Sequence, residues 1–442
     1  RRMAQCRTMI STAWSLQRSD HGEQPIWLTV VLASLLGQIG LPGGGFGIGY
    51  GCENGIGNPV KIFKWPALSQ GINAVEEFIP VARIADMLLS PGSKFNYDGE
   101  ELTYPDIRLL YWAGGNPFHH HQDLNRLVDA FRQPECVIVN EIWWTATARH
   151  ADIVFPITTV LERNDLMMTK WEPMATPMHK AIEPVGESRN DYDVFSGLAK
   201  RLGFFEEFTE DRNEEEWLRH LWDQARQRAG QANFELPDFD TFWQGGPKEI
   251  LKAEDKTILL EAYRKDPHNN PLATPSGKIE IFSDVIAGFG YDDCPGHPVW
   301  MEPFEWLGGK TVKKFPLHII SNQPSTRLHS QLDSGSISKG SKIKDREPMT
   351  MNPVDAAGRG IKTGDVVRVF NERGSCLAGV NLSENVMPGV IQLATGAWFD
   401  PVVPGQIGAL CKHGNPNVLT MDQGTSSLAQ GPTAHSTLVE VE

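Results

Sequence analysis

The stretch that decides the fold is DIRLLYWAGGNPFHHHQDLNRLVDAFRQPECVIVNE, Asp106 to Glu141, with its continuation ADIVFP, Ala151 to Pro156. DIRLLYWA is a short apolar run that stops at a glycine pair. HHQDLNRLVDAFRQ places Leu124, Leu127, Val128 and Phe131 at helical spacing, and ECVIVNE and ADIVFP are two further β-branched runs. Strands alternating with helical segments predict a parallel sheet covered by helices. In such a sheet, ligands lie at the carboxyl ends of the strands. That edge carries Gly114, Gly115, Asn116 and His119 to His121 after the first strand, Asn140 and Glu141 after the second, and Arg163 beyond the third.

Upstream, Thr8 to Leu16 reads as a helix. The polar turn RSDHGEQ follows, then an apolar helix from Pro25 to Gly37, where Pro25 suits a first turn. The glycine-rich run Leu41 to Pro59 reads as a loop, either a ligand-approaching backbone or a long connection. Downstream, helical patterns recur near Asp191 to Leu202 and Glu214 to Arg228, and the part between Trp243 and Glu305 has little periodicity. From Phe315 the pattern is β: FPLHIIS, GDVVRVF, GSCLAGVNL and GVIQLATGAWF. NERG, Asn371 to Gly374, forms a hairpin turn between two of these strands, and the spacing predicts a small barrel.

Composition bounds the partners. The 442 residues carry 41 basic and 55 acidic side chains, a formal charge of −14, and 40% hydrophobic residues. That describes a globular chain, and an acidic surface argues against nucleic acid. The longest apolar run, Ile26 to Leu41, is broken by Thr29, Ser34, Gly37 and Gln38, so it reads as a buried helix and not a transmembrane segment. The six cysteines form no CxxC pair, and three adjacent histidines on a turn do not converge on one ion, so no zinc or iron–sulfur site is expected.

Six motifs in order, WSLQR (Trp14 to Arg18), HGEQ, LPGGGFG, AGGNPFHHHQD, TATARHADIVFP and ERND, resemble the molybdopterin oxidoreductases of the dimethyl sulfoxide reductase family. They are most similar to the branch of biotin sulfoxide and trimethylamine-N-oxide reductases. SNQPSTRLHSQ, MNPVDAAGRGIKTGDVVRVFNERG and HGNPNVLTMDQGTSSLAQG resemble the same family's closing domain. The resemblance implies an α/β fold of doubly wound dinucleotide-binding domains with parallel sheets, followed by a C-terminal β-barrel of double-psi type. Residues 1–163 correspond to the later part of one dinucleotide-binding domain, 164–312 to a returning segment of a second, and 313–442 to the barrel. By the same resemblance the chain matches the C-terminal half to three-fifths of a complete enzyme. The molybdenum ligand of this branch, a serine side chain, is expected upstream of Trp14, so no catalytic or metal-ligating residue is assigned within the chain.

The implied cofactor is Mo-bis(molybdopterin guanine dinucleotide), a polyanion rich in hydrogen-bonding groups that suits glycine turns and arginine forks. The residues implied to hold it are Trp14, Ser15, Leu16, Gln17 and Arg18, then Gly115, Asn116, His119, Val139, Asn140, Asp152 and Arg163, then Arg327, His329, Gln331, Asn417 and Gln430. Relatives carry Gly where Ser15 stands. At the second strand end either Asn140 or Glu141 can supply the contact. Asp152 is either a ligand to guanine or a strand-start turn residue. The implied reaction is reduction of an S-oxide or N-oxide by oxygen-atom transfer, with electrons from a donor protein or other reductant, in the bacterial periplasm or cytoplasm. Another molybdopterin reaction, such as formate oxidation or nitrate reduction, and an inactive fragment binding no cofactor alone are the alternatives. Met167 to Phe195 departs from the familiar pattern in its methionine-rich first half.

Overall fold

Leu109–Ala113, Cys136–Glu141 and Ile153–Pro156 form a three-stranded sheet in that order, all parallel, as the alternation of runs predicts. The computed structural model describes residues 1–49, 63–170, 174–249 and 257–442. Cys52, Trp171 and most of the glycine-rich run after Gly49 lie outside the described residues. Between the first two strands run the short helix Pro117–His120 and the helix Leu124–Ala130. Asp123 caps the second by accepting a hydrogen bond from the Arg126 amide at 3.1 Å. Leu124, Leu127 and Val128 are thereby turned onto Val137 and Val139 of the sheet.

The start of the chain differs from its reading as helix. Met9–Thr12 is a strand, paired in parallel with Gly45–Ile48, and Trp14–Arg18 is a 3-10 turn. Ile10 and Thr12 are β-branched and favour extended backbone. Their partner strand is glycine-rich and more than thirty positions away, so neither local periodicity nor composition marks it. Helix Glu23–Leu35 packs across this pair. It has 13 residues, and no helix among the described residues is long and apolar enough to cross a membrane.

Helices Asp191–Leu202 and Glu214–Gln231 stand where their periodicity puts them. The second opens with a capping box between Asn213 and Glu216 and buries Trp222 against Phe242, rings stacked 3.7 Å apart. This region has its own small core, shared with Phe63, Ala175 and Leu218. Asp165–Met167, Met174–Met178 and Lys248–Glu249 add an antiparallel three-stranded sheet.

The C-terminal strands close into a six-stranded barrel. Going round it, Leu317–Ile320 is followed by Val390–Leu393, Pro348–Met351, Ser375–Leu382, Val366–Phe370 and Leu438–Val441, which returns to the first. Two pairings are parallel and four antiparallel. The hairpin at NERG is present, with the Asn371 amide donating to the Gly374 carbonyl at 3.1 Å. Alternation along Val366–Phe370 sends Val367 and Val369 inward.

The barrel and the parallel sheet share one hydrophobic cluster, in which Leu124 and Val139 are continuous with Ile319, Val369 and Phe399. A buried ionic clamp reinforces the junction. Asp422, 2% exposed at its side chain, is paired with Arg83 at 3.0 Å and with Arg126, and both arginines also reach Asp86. Removing one partner from a buried pair strands the others in a poor dielectric. Asp422→Ala is therefore expected to lower stability by about 3–5 kcal/mol, measured as a shift of the urea-unfolding midpoint.

Candidate cofactor-binding site

The Trp14–Arg18 turn lies between the α/β part and the closing segment of the chain, held by both. The Arg18 carbonyl accepts from the His435 amide at 2.9 Å, and its guanidinium donates from Nη2 to the His120 carbonyl at 3.1 Å. His21 donates its amide to the Thr425 carbonyl, the Asp20 amide donates to Ser436 Oγ, and Glu23 accepts from Thr425 and Ser426. From the opposite side, Asn415 and Asn417 donate their side-chain amides to the carbonyls of Phe118 and His119. These carbonyls belong to the one-turn helix Pro117–His120, whose last oxygens have no intrahelical donor.

The glycine turn and the RLHSQ loop meet here too. Gly114 and Gly115 both have positive φ, which frees Asn116 to accept from Thr147 Oγ1 at 2.5 Å and to reach Ser330 Oγ at 3.5 Å. His329 sits in left-handed backbone, fixed by hydrogen bonds of its amide and ring to Gln323, with its ring centroid 5.9 Å from that of His119. Its carbonyl lies so close to Gly396 that a Cβ there would stand 2.0 Å away. Trp14–Arg18, Asn116, His119, His329 and Asn417 are thus brought together, and His120, His435 and Trp112 join them.

The electrostatics of this group are unusual for a cluster of basic side chains. Burial, with smaller contributions from His120, His329, Arg18 and Arg327, pushes His119 down to about 3. Burial pushes His120 and His435 down to about 4, Arg18 adding to both. All three imidazoles are neutral at pH 7. Arg18 is lowered by burial as well, yet a guanidinium keeps its proton. No carboxylate pairs with it among the described residues. Arg18 Nε, Trp112 Nε1 and His119 Nδ1 are buried without any protein partner. Buried polar atoms are normally satisfied, so unpartnered donors such as Arg18 Nε and Trp112 Nε1 suit an outside group that offers acceptors. Phosphate and pterin oxygens are of that kind, and the residues present fit such a cofactor.

The remaining expected residues lie elsewhere or are engaged. Asn140 accepts from Tyr111 and donates to Asp191, each at 2.9 Å. Asp191 lines a cavity of about 220 Å³ with Arg163, Asn190 and Glu214, so Asn140 and Arg163 form a second patch at the same edge of the sheet. Arg163 donates to the Thr158 carbonyl and pairs with Asp165. Val139 is fully buried in the core. Asp152 accepts from the Val137 amide at 2.8 Å, at the amino end of the strands and thus away from the ligand edge. Of the two readings of Asp152, this contact is the strand-start one.

Arg327 has no exposed side-chain surface. It bonds Ser338 and the Thr395 carbonyl and pairs with Asp333 and Glu347, a network shared with Lys342 and His413. Burial alone would raise the Asp333 carboxyl, but hydrogen bonds from His413 and Lys342 outweigh it and hold it well below the usual range. Ser15, Gln17 and Gln331 are exposed, and the Leu16 carbonyl receives the Ser19 amide. Gln430 reaches the Asn96 carbonyl and lines a separate polar cavity of about 390 Å³ with Arg83 and Ser426. His435, Trp112 and Asn415 carry no expectation from the sequence, and His120 is named there only within the run His119 to His121. For His120 the signal was present in the triple histidine, whereas His435 has only its place after GPTA to mark it.

Two outcomes follow from this geometry. Gly396→Ala should displace the His329 loop, visible as increased protease sensitivity within residues 322–331. The depressed imidazoles bind their protons only in the unfolded chain between their folded values and about 6.5. Stability they contribute is therefore complete above pH 6.5 and falls as the pH is lowered toward 4. NMR should show the His119, His120 and His435 ring carbons unshifted from pH 8 to pH 5.5, and a titration near 6.5 would contradict their burial.

Comparison with known proteins agrees along the chain. The family model described as molybdopterin oxidoreductase matches residues 4–201, and the molydopterin dinucleotide binding domain matches residues 317–438. The chain is 48% identical over 437 residues to a biotin sulfoxide reductase of Cereibacter sphaeroides, covering 99% of this chain and 58% of that protein. A dimethyl sulfoxide/trimethylamine N-oxide reductase of the same organism is 49% identical over 452 residues, covering 99% and 54%. A trimethylamine-N-oxide reductase of Haemophilus influenzae is 48% identical over 454 residues, covering 99% and 55%. The chain thus spans little more than half the length of the curated relatives it matches. Among solved structures, acetylene hydratase from Pelobacter acetylenicus superposes with a TM-score of 0.56 at 19% identity, over 76% of this chain and 44% of that one, a likeness of fold. With both family models in order along it and this identity across its length, the chain belongs to the molybdopterin oxidoreductases.

Proposed function

We propose that the whole protein is a molybdenum enzyme that reduces an S-oxide or N-oxide, and that this chain holds much of its Mo-bis(molybdopterin guanine dinucleotide). The observation that carries the reading is the set of unpartnered buried polar atoms around Arg18, in a chain whose relatives are named for biotin sulfoxide, dimethyl sulfoxide and trimethylamine N-oxide. Those names favour oxide reduction over formate oxidation or nitrate reduction. When bound, the cofactor supplies two-electron oxygen-atom transfer, chemistry that no side chain performs.

The chain's own residues bind, orient and exclude water. Arg18 offers Nε–H to an anionic oxygen while its Nη2 stays committed to the His120 carbonyl, which fixes the plane of the fork. Neutral His119 presents Nδ1 without adding charge, and Trp112 presents an indole N–H beside Gly115. Asn417 and Asn415 hold the His119 turn, and Arg327 holds the RLHSQ loop from behind. The shared hydrophobic cluster beneath keeps bulk water from this wall. Arg163 and Asn140 form a second patch about the cavity beside Asp191, suited to a distant arm of a long dinucleotide.

The test is chemical analysis of the whole protein expressed with molybdate. It should contain molybdenum and release guanine nucleotide on acid treatment, and it should reduce biotin sulfoxide, trimethylamine N-oxide or dimethyl sulfoxide with reduced methyl viologen. Arg18→Ala should lower bound molybdenum at least about ten-fold, the equivalent of 1.4 kcal/mol of binding. Arg163→Ala should weaken retention less. Metal-free protein with full reductase activity would falsify the reading.

A further inference from the structure

Cys376 and Cys411 meet where the barrel receives the segment that grips the His119 turn. In strand Ser375–Leu382, Cys376, Ala378 and Val380 face inward without exposed surface, and Val369 of the neighbouring strand lies opposite Cys376. On its other side this strand is flanked by Pro348–Met351 only from Gly379 onward. Before that point Cys411 takes the place, in parallel register with Cys376. The Cys411 amide donates to the Ser375 carbonyl at 3.0 Å, and its carbonyl accepts from the Leu377 amide at 2.9 Å. Cys411 is also bridged to Pro401, with the Lys412 amide on the Asp400 carbonyl at 2.8 Å and the Val402 amide on the Leu410 carbonyl at 2.9 Å. Backbone on both sides therefore fixes Cys411. No other two cysteines among the described residues are strand partners.

Register partners on adjacent strands send their side chains to one face. Both side chains here belong to the cluster that joins the barrel to the parallel sheet, and neither has exposed surface. Adjacent strands lie about 4.8 Å apart, inside the Cα separation of about 4.4–6.8 Å that a disulfide spans. Both are free thiols in this structure. Burial pushes each above its ordinary range, and the neighbouring Cys411 pushes Cys376 further. A thiol held so far from its thiolate is a poor nucleophile, so any bond between the two is made before the Cys411 segment docks.

We propose that Cys376 and Cys411 form a disulfide when the chain folds in the presence of a disulfide-containing oxidant, fastening the segment that reaches Asn417 to the barrel. While that segment is off the barrel, one cysteine thiolate attacks the oxidant's disulfide, giving a mixed disulfide and one released thiol. The second thiolate displaces the oxidant's other sulfur, and the Sγ–Sγ bond forms. The two cysteines lose two electrons, the oxidant's disulfide gains them as it becomes two thiols, and the two protons go to those thiols. Residues 377–410 then form a closed loop, which narrows the unfolded ensemble. The fastened segment continues to Asn415 and Asn417, which hold the carbonyls of Phe118 and His119. The bond needs neither molybdenum nor nucleotide, so it stands apart from the reductase reading.

The test produces the whole protein in parallel in cells with an oxidising and cells with a reducing cytoplasm. Each preparation is denatured in N-ethylmaleimide, digested without reductant and read by mass spectrometry. Most Cys376 and Cys411 from the oxidising cells should appear in one cross-linked peptide, and both should be alkylated from the reducing cells. The bridged protein should melt at least about 3 °C higher. That difference should vanish in Cys376→Ala, in Cys411→Ala and in the double variant, where alanine keeps a small apolar side chain beside Ala378. Alkylated thiols at both positions from the oxidising cells make the pair two small core residues and overturn the proposal, with no substitution needed. Either cysteine joined to glutathione or to a different cysteine overturns it as well, as does a melting difference that persists in the double variant.

Discussion

Asp422 faces two guanidiniums with only 2% of its side chain exposed. One belongs to Arg83 and the other to Arg126, both on the α/β side, while Asp422 itself comes from the segment that runs back to the last barrel strand. Neither side of this contact can withdraw without leaving a bare charge in the interior. The consequence reaches further than the clamp. Segment 413–436 supplies Asn415, Asn417, Thr425 and His435, and each of these bonds a residue of the Trp14–Glu23 turn or of the His119 turn. Fixing Asp422 therefore fixes the wall from which Arg18 and His119 project.

Two arginines of this chain differ in how fully the protein itself satisfies them. Arg327 and Arg18 both lie in motifs that resemble cofactor loops. Arg327 is surrounded by Asp333, Glu347, Ser338 and the Thr395 carbonyl, and what it positions is the loop that carries His329. Arg18 has a carbonyl on one nitrogen, an unpartnered Nε and no carboxylate, in a neighbourhood of neutral histidines. An arginine left uncompensated in this way is stable only if an anion completes it. The imidazoles beside it stay neutral first because they are buried and then because Arg18 is close.

The parallel sheet was legible in the sequence because each strand is an apolar run, β-branched in the second and third, ended by a glycine pair, an asparagine or a proline. The hairpin at Asn371–Gly374 was legible for its turn chemistry. The strand Met9–Thr12 was not, because its partner lies in a glycine-rich run that reads as a loop. Barrel strands Pro348–Met351 and Leu438–Val441 also carried no separate signal, one buried in a proline-flanked motif and the other at the chain end.

Site residues divide the same way. Arg18, Asn116, His119, His329 and Asn417 stand in motifs, and the fold brings them near one another. His435 and Asn415 act through contacts almost 300 or more positions apart in sequence, which no local pattern records. Val139 and Asp152 sit inside motifs, yet one fills the core and the other pins a strand start.

The most direct measurement is an experimental structure of the whole protein purified with its cofactor. Density is expected for a dinucleotide lying against the Trp14–Arg18 turn, with Arg18 Nε, Trp112 Nε1 and His119 Nδ1 each within hydrogen-bond distance of it. A cofactor bound elsewhere, with only water on those three atoms, would contradict it.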